Sequence, residues 1–236
     1  MKILVVVAHP DDEVLGMGGT ILKHTQKGDT VKIVYLSTGI MSRRKSGYSN
    51  KVSYDLNRKE IPKMEKEIKN LQINAKKACK VLGVSGYKFF NFPDNEMDSL
   101  PLLNIIKIIE AEIKKIKPDR VYTSHFGDLN VDHRVVYNAV LTACRPISSK
   151  VPELVCFEIP SSTEWNYPQS FNPNYFVNIT NQLERKIKAL KMYKNEIREF
   201  PHPRSLENLR NISRRWGSVS GNKAAEAFEI IRKIVK

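Results

Sequence analysis

The chain opens on an unbroken apolar run, residues 2–8 (KILVVVA), the pattern of a strand covered on both faces of a parallel sheet. Gly16, Gly18 and Gly19 then read as a tight strand-to-helix turn leading into a helical stretch that stops near Gly28, a residue suited to a helix C-terminal cap. A second apolar run predicts a strand over 31–36. Residues 38–57 are polar, basic and turn-rich, and read as a long functional loop. The spacing predicts a basic helix over 58–82 that stops at Gly83, with Pro62 tolerated in its first turn. Strands follow over 87–92, 120–124 and 154–159, separated by an amphipathic helix over 102–116 and a helix starting near Asp132.

Strands alternating with helices imply right-handed crossovers, hence an α/β fold: a mostly parallel sheet with helices on both faces. After residue 160 the pattern changes. Prolines 160, 168, 173, 201 and 203 interrupt it, and helices are expected at 181–198 and 222–234. Residues 1–236 are therefore read as one domain, an α/β core over 1–160 with appended loops and helices, a C-terminal helical extension, over 161–236.

Composition narrows the class. With 236 residues, 41% of them hydrophobic, the chain is long enough for a full core without disulfides. No apolar stretch reaches the roughly 20 residues of a membrane span, and no signal-peptide pattern is present, so the expected location is the cytoplasm. Cys79, Cys144 and Cys156 form no C-x-x-C pair and read as reduced, buried thiols. The net charge of +14 sits in two stretches. Residues 43–80 carry twelve basic against four acidic residues, and residues 183–236 carry fourteen against six. Such a field favours an anionic partner, whether nucleic acid, membrane surface or phosphorylated small molecule, with a solvated lysine-rich surface as the plain alternative, and no nucleic-acid motif accompanies it. Assembly into an oligomer is compatible with all of this.

Two polar clusters carry the chemistry. The first, His9-Pro10-Asp11-Asp12-Glu13, follows the first strand; the second, from His125 through Asp128, Asn130 and Asp132 to His133, follows the fourth. Ligands of open parallel sheets gather at strand carboxyl ends, so element order alone brings both clusters to one edge. Acids and imidazoles crowded there call for a compensating cation. His9, Asp12 and His133 make a three-ligand zinc site with an open position for water, a set that also suits iron(II). Adjacent Asp11 and Asp12 do not easily both reach one ion, which leaves one of them as general base for hydrolysis of an amide or ester.

The string AHPDDEVLGMGGT, with the later VDHR, resembles the LmbE-like or PIG-L family of zinc-dependent de-N-acetylases. The likeness extends to element order and to Ala225-Glu226-Ala227-Phe228. It implies a Rossmann-like sheet and removal of an acetyl group from an acetamido sugar. The metal ligands would be His9, Asp12 and His133, and the base Asp11. The family often carries His-Pro-Asp-His where this chain has Asn130-Val131-Asp132-His133. Asn130 can donate a hydrogen bond to an oxyanion but cannot carry a proton, so His125 is a candidate to take over part of that role. Asp132 would orient a neighbouring histidine.

Further candidates for substrate contact are Asp94 and Asn95, His125 and Asp128, and His202 with Arg204; a helix N-cap at Ser205 is the plain alternative for the last stretch. His24 is read as structural, and Trp165 and Trp216 as packing residues. The expected substrate is an N-acetylated amino sugar derivative, phosphorylated, nucleotide- or lipid-linked. Two rivals stand beside this reading. One is a catalytically weakened sugar- or nucleotide-binding protein, motivated by Asn130. The other is a non-haem iron(II) enzyme, which shares the two-histidine, one-carboxylate set but is usually found on all-β folds.

Overall fold

The computed structural model describes residues 1–43 and 60–235, so the loop expected over 38–57 falls outside the described residues from 44 onward. The order of elements is β1 (Lys2–Val7), α1 (Asp12–Gln26), β2 (Thr30–Ser37), α2 (Ile61–Leu82), β3 (Gly86–Phe92), α3 (Leu102–Ile116), β4 (Arg120–Ser124), α4 (Val131–Ala143), α5 (Pro146–Ser149), β5 (Glu153–Phe157), β6 (Tyr175–Asn178), α6 (Leu183–Leu190), α7 (Leu206–Val219) and β7 (Ala225–Lys233). Among the described residues seven strands make one sheet, ordered β3-β2-β1-β4-β5-β7-β6. β1 to β5 pair in parallel, and β7 runs antiparallel to β5 and β6.

The apolar opening run behaves as its pattern requires. Ile3, Val5 and Val7 enter the core beneath α1, α2 and α6, while Leu4, Val6 and Ala8 enter the opposite core beneath α3 and α4. All six side chains are fully buried. β1 pairs with β2 on one side and β4 on the other, and the chain leaves toward opposite edges from these two strands. The gap beyond their carboxyl ends is the topological switch point, where an open α/β sheet leaves room for a ligand. No helix among the described residues is long and apolar enough to cross a membrane.

Three expectations are corrected. Residues 222–234 do not form a helix; 225–233 form β7. Ala225, Phe228 and Ile231 fit a helical spacing as well as a strand, and pairing with β5 and β6 decides the matter. The C-terminal region thus contributes two strands to the sheet as well as α6 and α7, and α7 starts at Leu206, directly after Ser205, whose hydroxyl caps it by accepting from the Asn208 N–H at 3.0 Å. Gly16, Gly18 and Gly19 lie within α1, not in the turn before it. A Cβ at Gly16 would collide with the Phe157 ring, and one at Gly19 would come within 2.7 Å of Ile179, so these glycines let the helix press onto the sheet. The helix breaks at Met17 (φ −143°). The buried Glu226 carboxylate accepts from the freed N–H groups of Gly19 (2.9 Å) and Thr20 (2.6 Å). The buried Lys186 ammonium donates to Leu15 O (2.9 Å) and to Glu226 (2.6 Å). One buried ion pair therefore satisfies both sides of the break.

Candidate metal centre

The corner between β1 and α1 is made by Asp11, whose φ of 116° lies where few residues other than glycine settle. Strain of this kind persists only where surrounding bonds impose it. Here the Asp11 carbonyl starts α1 by accepting from Val14 N (3.0 Å) and Leu15 N (2.9 Å), while its own N–H donates to Glu13 Oε2 (3.1 Å). Glu13 Oε1 in turn accepts from the Tyr193 hydroxyl at 2.6 Å. The corner thereby places His9, Asp11 and Asp12 side by side at the sheet edge.

From the other strand, α4 carries His133 to the same place. His9 Nδ1 lies 3.3 Å from His133 Nε2, and Asp12 Oδ2 lies 3.6 Å from the first and 3.4 Å from the second. Donor atoms at the corners of a tetrahedron around an ion, with bonds near 2.1 Å, are roughly 3.4 Å apart. The imidazoles are fixed to suit. His9 Nε2 donates to Asp132 Oδ2 (3.0 Å), and His133 Nδ1 donates to Asp128 Oδ1 (2.9 Å). Each ring therefore turns its other nitrogen into the cluster, the carboxylate–histidine pairing typical of metal ligands. Two imidazole lone pairs facing one another at this distance repel unless a proton or a cation lies between them. Asp12 Oδ1 is buried without a hydrogen-bond partner among the described residues. The donor set fits a divalent cation.

The electrostatics agree. Burial disfavours a charged His133, but the Asp12 and Asp128 carboxylates outweigh it and hold its pKa near 9. Burial works against His9 too, and hydrogen bonds to Asp132 and Asp94 carry its pKa well above the usual value. Burial also opposes the Asp12 carboxylate, yet His133 and His9 pull its pKa down to about 2. Burial raises Asp11 to about 8, although the Arg204 guanidinium opposes the rise, and burial raises Glu13 to about 7.

These shifts predict how the metal-free protein responds to pH. His133 is raised from 6.5, Asp11 from 3.8 and Glu13 from 4.5, so each favours the folded state through its protonated form. That contribution is complete below the ordinary pKa and is lost as pH climbs through about 7 to 9. Chelator-treated protein is expected to lose thermal stability from pH 6.5 to 9.5. Metal-loaded protein should lose less, because a cation takes over from the protons of His9 and His133. Parallel melting curves for the two forms would contradict this account.

Around the cluster, the predicted residues divide. Asp94 accepts from Ser42 N (2.8 Å) and lies 3.1 Å from His9 Nε2, and with Asn95, Asn130 and Arg204 it lines a recess of about 80 Å³ over His9 and Asp11. Asn130 caps α4, its Oδ1 accepting from Asp132 N (2.9 Å), while its Nδ2 donates to Asn95 Oδ1 (2.7 Å). Asp132, whose partner the sequence leaves undefined, holds His9 and accepts from Asn95 N (2.7 Å) and Met97 N (3.0 Å). Arg204 donates to Asp11 Oδ2 (3.0 Å) and Ser161 Oγ (2.8 Å). His202 stands behind it, stacked edge-on against Trp165 and accepting from Arg204 N.

Asp128 and His125 are corrected. Both are fully buried. Asp128 accepts from Ser162 and Thr163 hydroxyls and from His133 Nδ1, so its oxygens face these partners and it is not part of the recess lining. His125 packs between Phe126 and Phe171, 3.3 Å from Glu229, away from the recess. His125, Cys156 and Glu229 also cluster, but His125 Nδ1 accepts from Gly127 N, which leaves the proton on Nε2 and no lone pair for a metal. His24, bonded to Asp29 and Tyr122, is structural as expected. The pair Arg43–Glu196 (2.6 Å), also in the recess wall, has no signature in the sequence. Both guanidiniums of the recess are thus already paired with carboxylates.

The family model described as GlcNAc-PI de-N-acetylase, PIG-L, matches residues 4–144. An uncharacterized deacetylase of Escherichia coli, YaiS, is 32% identical, over 82% of this chain and 90% of its own length. Diacetylchitobiose deacetylase of Thermococcus kodakarensis is 26% identical, over 98% of this chain and 83% of its own. The crystal structure of a 4-carboxy-2-hydroxymuconate hydratase from Pseudomonas putida superposes with a TM-score of 0.75, covering all of this chain and 98% of that one at 20% identity, a likeness of fold alone.

Proposed function

The chain belongs to the PIG-L family, and from that premise we propose that it is a zinc-dependent hydrolase that removes the acetyl group from an N-acetylated amino sugar derivative. The observation that carries the reading is the convergence of His9 Nδ1, Asp12 Oδ2 and His133 Nε2 within 3.3–3.6 Å of one another, with Asp11 beside them. Similarity of fold does not decide the reaction, since a hydratase shares it. The donor set and the adjacent carboxylate do more, together with relatives named as deacetylases.

A cation held by His9, Asp12 and His133 supplies, when bound, a Lewis acid for the acyl oxygen and an acidified water. Asp11 takes the proton of the attacking water. Arg204 fixes the Asp11 carboxylate by its Oδ2 and keeps one charge partner on it inside a buried site. Asp132 and Asp128 hold the two imidazoles in the tautomers that ligation needs. The released amine takes its proton from Asp11, the acid that the first step leaves behind. Asn130, with both ends of its amide engaged, shapes the recess wall.

The decisive experiment is acetate release from N-acetylglucosamine and its glycosides by the full chain, metal-loaded and chelated. Metal-dependent acetate is the expected result. A metal-loaded protein that binds these sugars and never releases acetate is the binding protein of the rival reading.

A further inference from the structure

Asp11 holds a φ of 116° that few residues settle into, so the direction of its side chain depends on what grips the corner. The body of α1 does not. The helix breaks at Met17, Gly19 N–H donates to Glu226, and Leu15 O accepts from Lys186, so the first turn, residues 12–16, is not continuous with the rest. Instead α6 and the turn after it brace that first turn at two points. Lys186 on α6 donates to Leu15 O at 2.9 Å. Tyr193, three residues past the end of α6, donates from its hydroxyl to Glu13 Oε1 at 2.6 Å. The second oxygen of that carboxylate accepts from Asp11 N–H at 3.1 Å. Glu13 and Tyr193 are fully buried, and neither lines the recess. A carboxylate held at both oxygens keeps one orientation, so the tyrosine fixes the acceptor that the corner amide uses.

We propose that Tyr193 is a positioning residue for the reaction: through Glu13 it holds the peptide that aims the Asp11 side chain into the recess. This rests on Asp11 as the base of the de-N-acetylation described above. Arg204 grips the far end of the same side chain at Oδ2 (3.0 Å), so both ends of the base are held from the C-terminal part of the chain. Tyr193 has no motif of its own in the sequence, and the carboxylate it serves lies 180 residues earlier. Its hydroxyl bonds none of the proposed ligands, which are held by Asp132, Asp128 and the His9 N–H. Loss of that hydroxyl should therefore show in the chemical step and leave substrate and metal binding as they were.

The test is a double-mutant cycle on the metal-loaded full chain with N-acetylglucosamine, kcat being expressed per bound metal ion so that unfolded chain drops out. A misplacement of about 1 Å can cost a reacting group about a hundredfold. Tyr193→Phe keeps the ring and is expected to lose about tenfold in kcat, with KM within about twofold of the parent and metal content unchanged. In the Asp11→Asn background the same change should cost nothing further, because no base is left to aim. Tyr122→Phe is the control for lost stability: it removes an equally buried hydroxyl, bonded to Arg120 and to His24 at the other end of α1, and should lower the melting temperature without moving kcat. Should Tyr193→Phe fail to fold, Tyr193→Met, which also lacks the hydroxyl and adapts to the space, carries the same cycle. Full kcat in Tyr193→Phe, or a tenfold loss that repeats in the Asp11→Asn background, overturns the role of Tyr193 and leaves Asp11 as the base. A metal-loaded parent that releases no acetate overturns the de-N-acetylase reading itself.

Discussion

Asp11→Asn is expected to keep its divalent cation and to lose at least about a hundredfold in kcat/KM, the lower end of what a positioned general base contributes. The substitution is nearly isosteric. Asparagine tolerates the positive φ of 116° that forms the corner, and its carbonyl oxygen still accepts from Arg204. The proposed ligands His9, Asp12 and His133 are held by Asp132, by the His9 N–H and by Asp128, none of which involves the Asp11 side chain. What disappears is a basic oxygen in a recess with room for little else. The acid limb of the pH profile should disappear with it: Asp11 must be ionised to act, so activity of the parent protein falls as pH drops below the Asp11 pKa, and the variant has no such group to protonate. Elemental analysis and acetate release, measured on the same preparation across pH, check both halves. Normal turnover with normal metal content would remove Asp11 from the base role.

The main features of the site were legible because they follow from element order. A two-face-buried strand at residues 2–8, a second polar cluster after the strand at 120–124 and the rule that ligands gather at strand carboxyl ends are enough to bring His9 and His133 together across 124 residues of sequence. The ligand tautomers were not legible. Asp128 follows a strand as His9 does, and sequence position does not say that it turns inward to His133 while His125 turns inward to Glu229. The same blindness applies to Glu226. It lies in a stretch whose pattern predicts a helix, and nothing in that pattern says that it closes a helix break more than two hundred residues earlier in the chain. Arg43 and Glu196 meet only because α6 packs beside α1 and α2, which brings the turn following α6 up against the loop after β2. Local patterns report faces and ends of elements; partners supplied by tertiary contact leave no period to read.

The second large effect concerns the ligands themselves, and it separates a metal enzyme from a protein that merely clusters polar groups. His133→Ala is expected to lose its cation and at least about a thousandfold in activity, since Lewis-acid assistance amounts to several kcal/mol of barrier. Asp128→Asn touches the same imidazole from behind and should behave differently. It replaces the charged acceptor for His133 Nδ1 with a neutral amide oxygen and weakens orientation without removing a donor, so metal affinity should fall about 10- to 100-fold and activity should return with excess metal. The two variants differ in stability as well: the alanine leaves Asp12 and Asp128 facing an empty space in a fully buried position, whereas the asparagine retains a hydrogen-bonding side chain toward Ser162 and Thr163. Melting curves taken with the metal titrations separate lost binding from lost folding. Rescue of Asp128→Asn by added zinc, with none for a folded His133→Ala, is the pattern that three ligands and an orienting carboxylate require. A folded His133→Ala that retains both its metal and its turnover would show that the ion sits elsewhere.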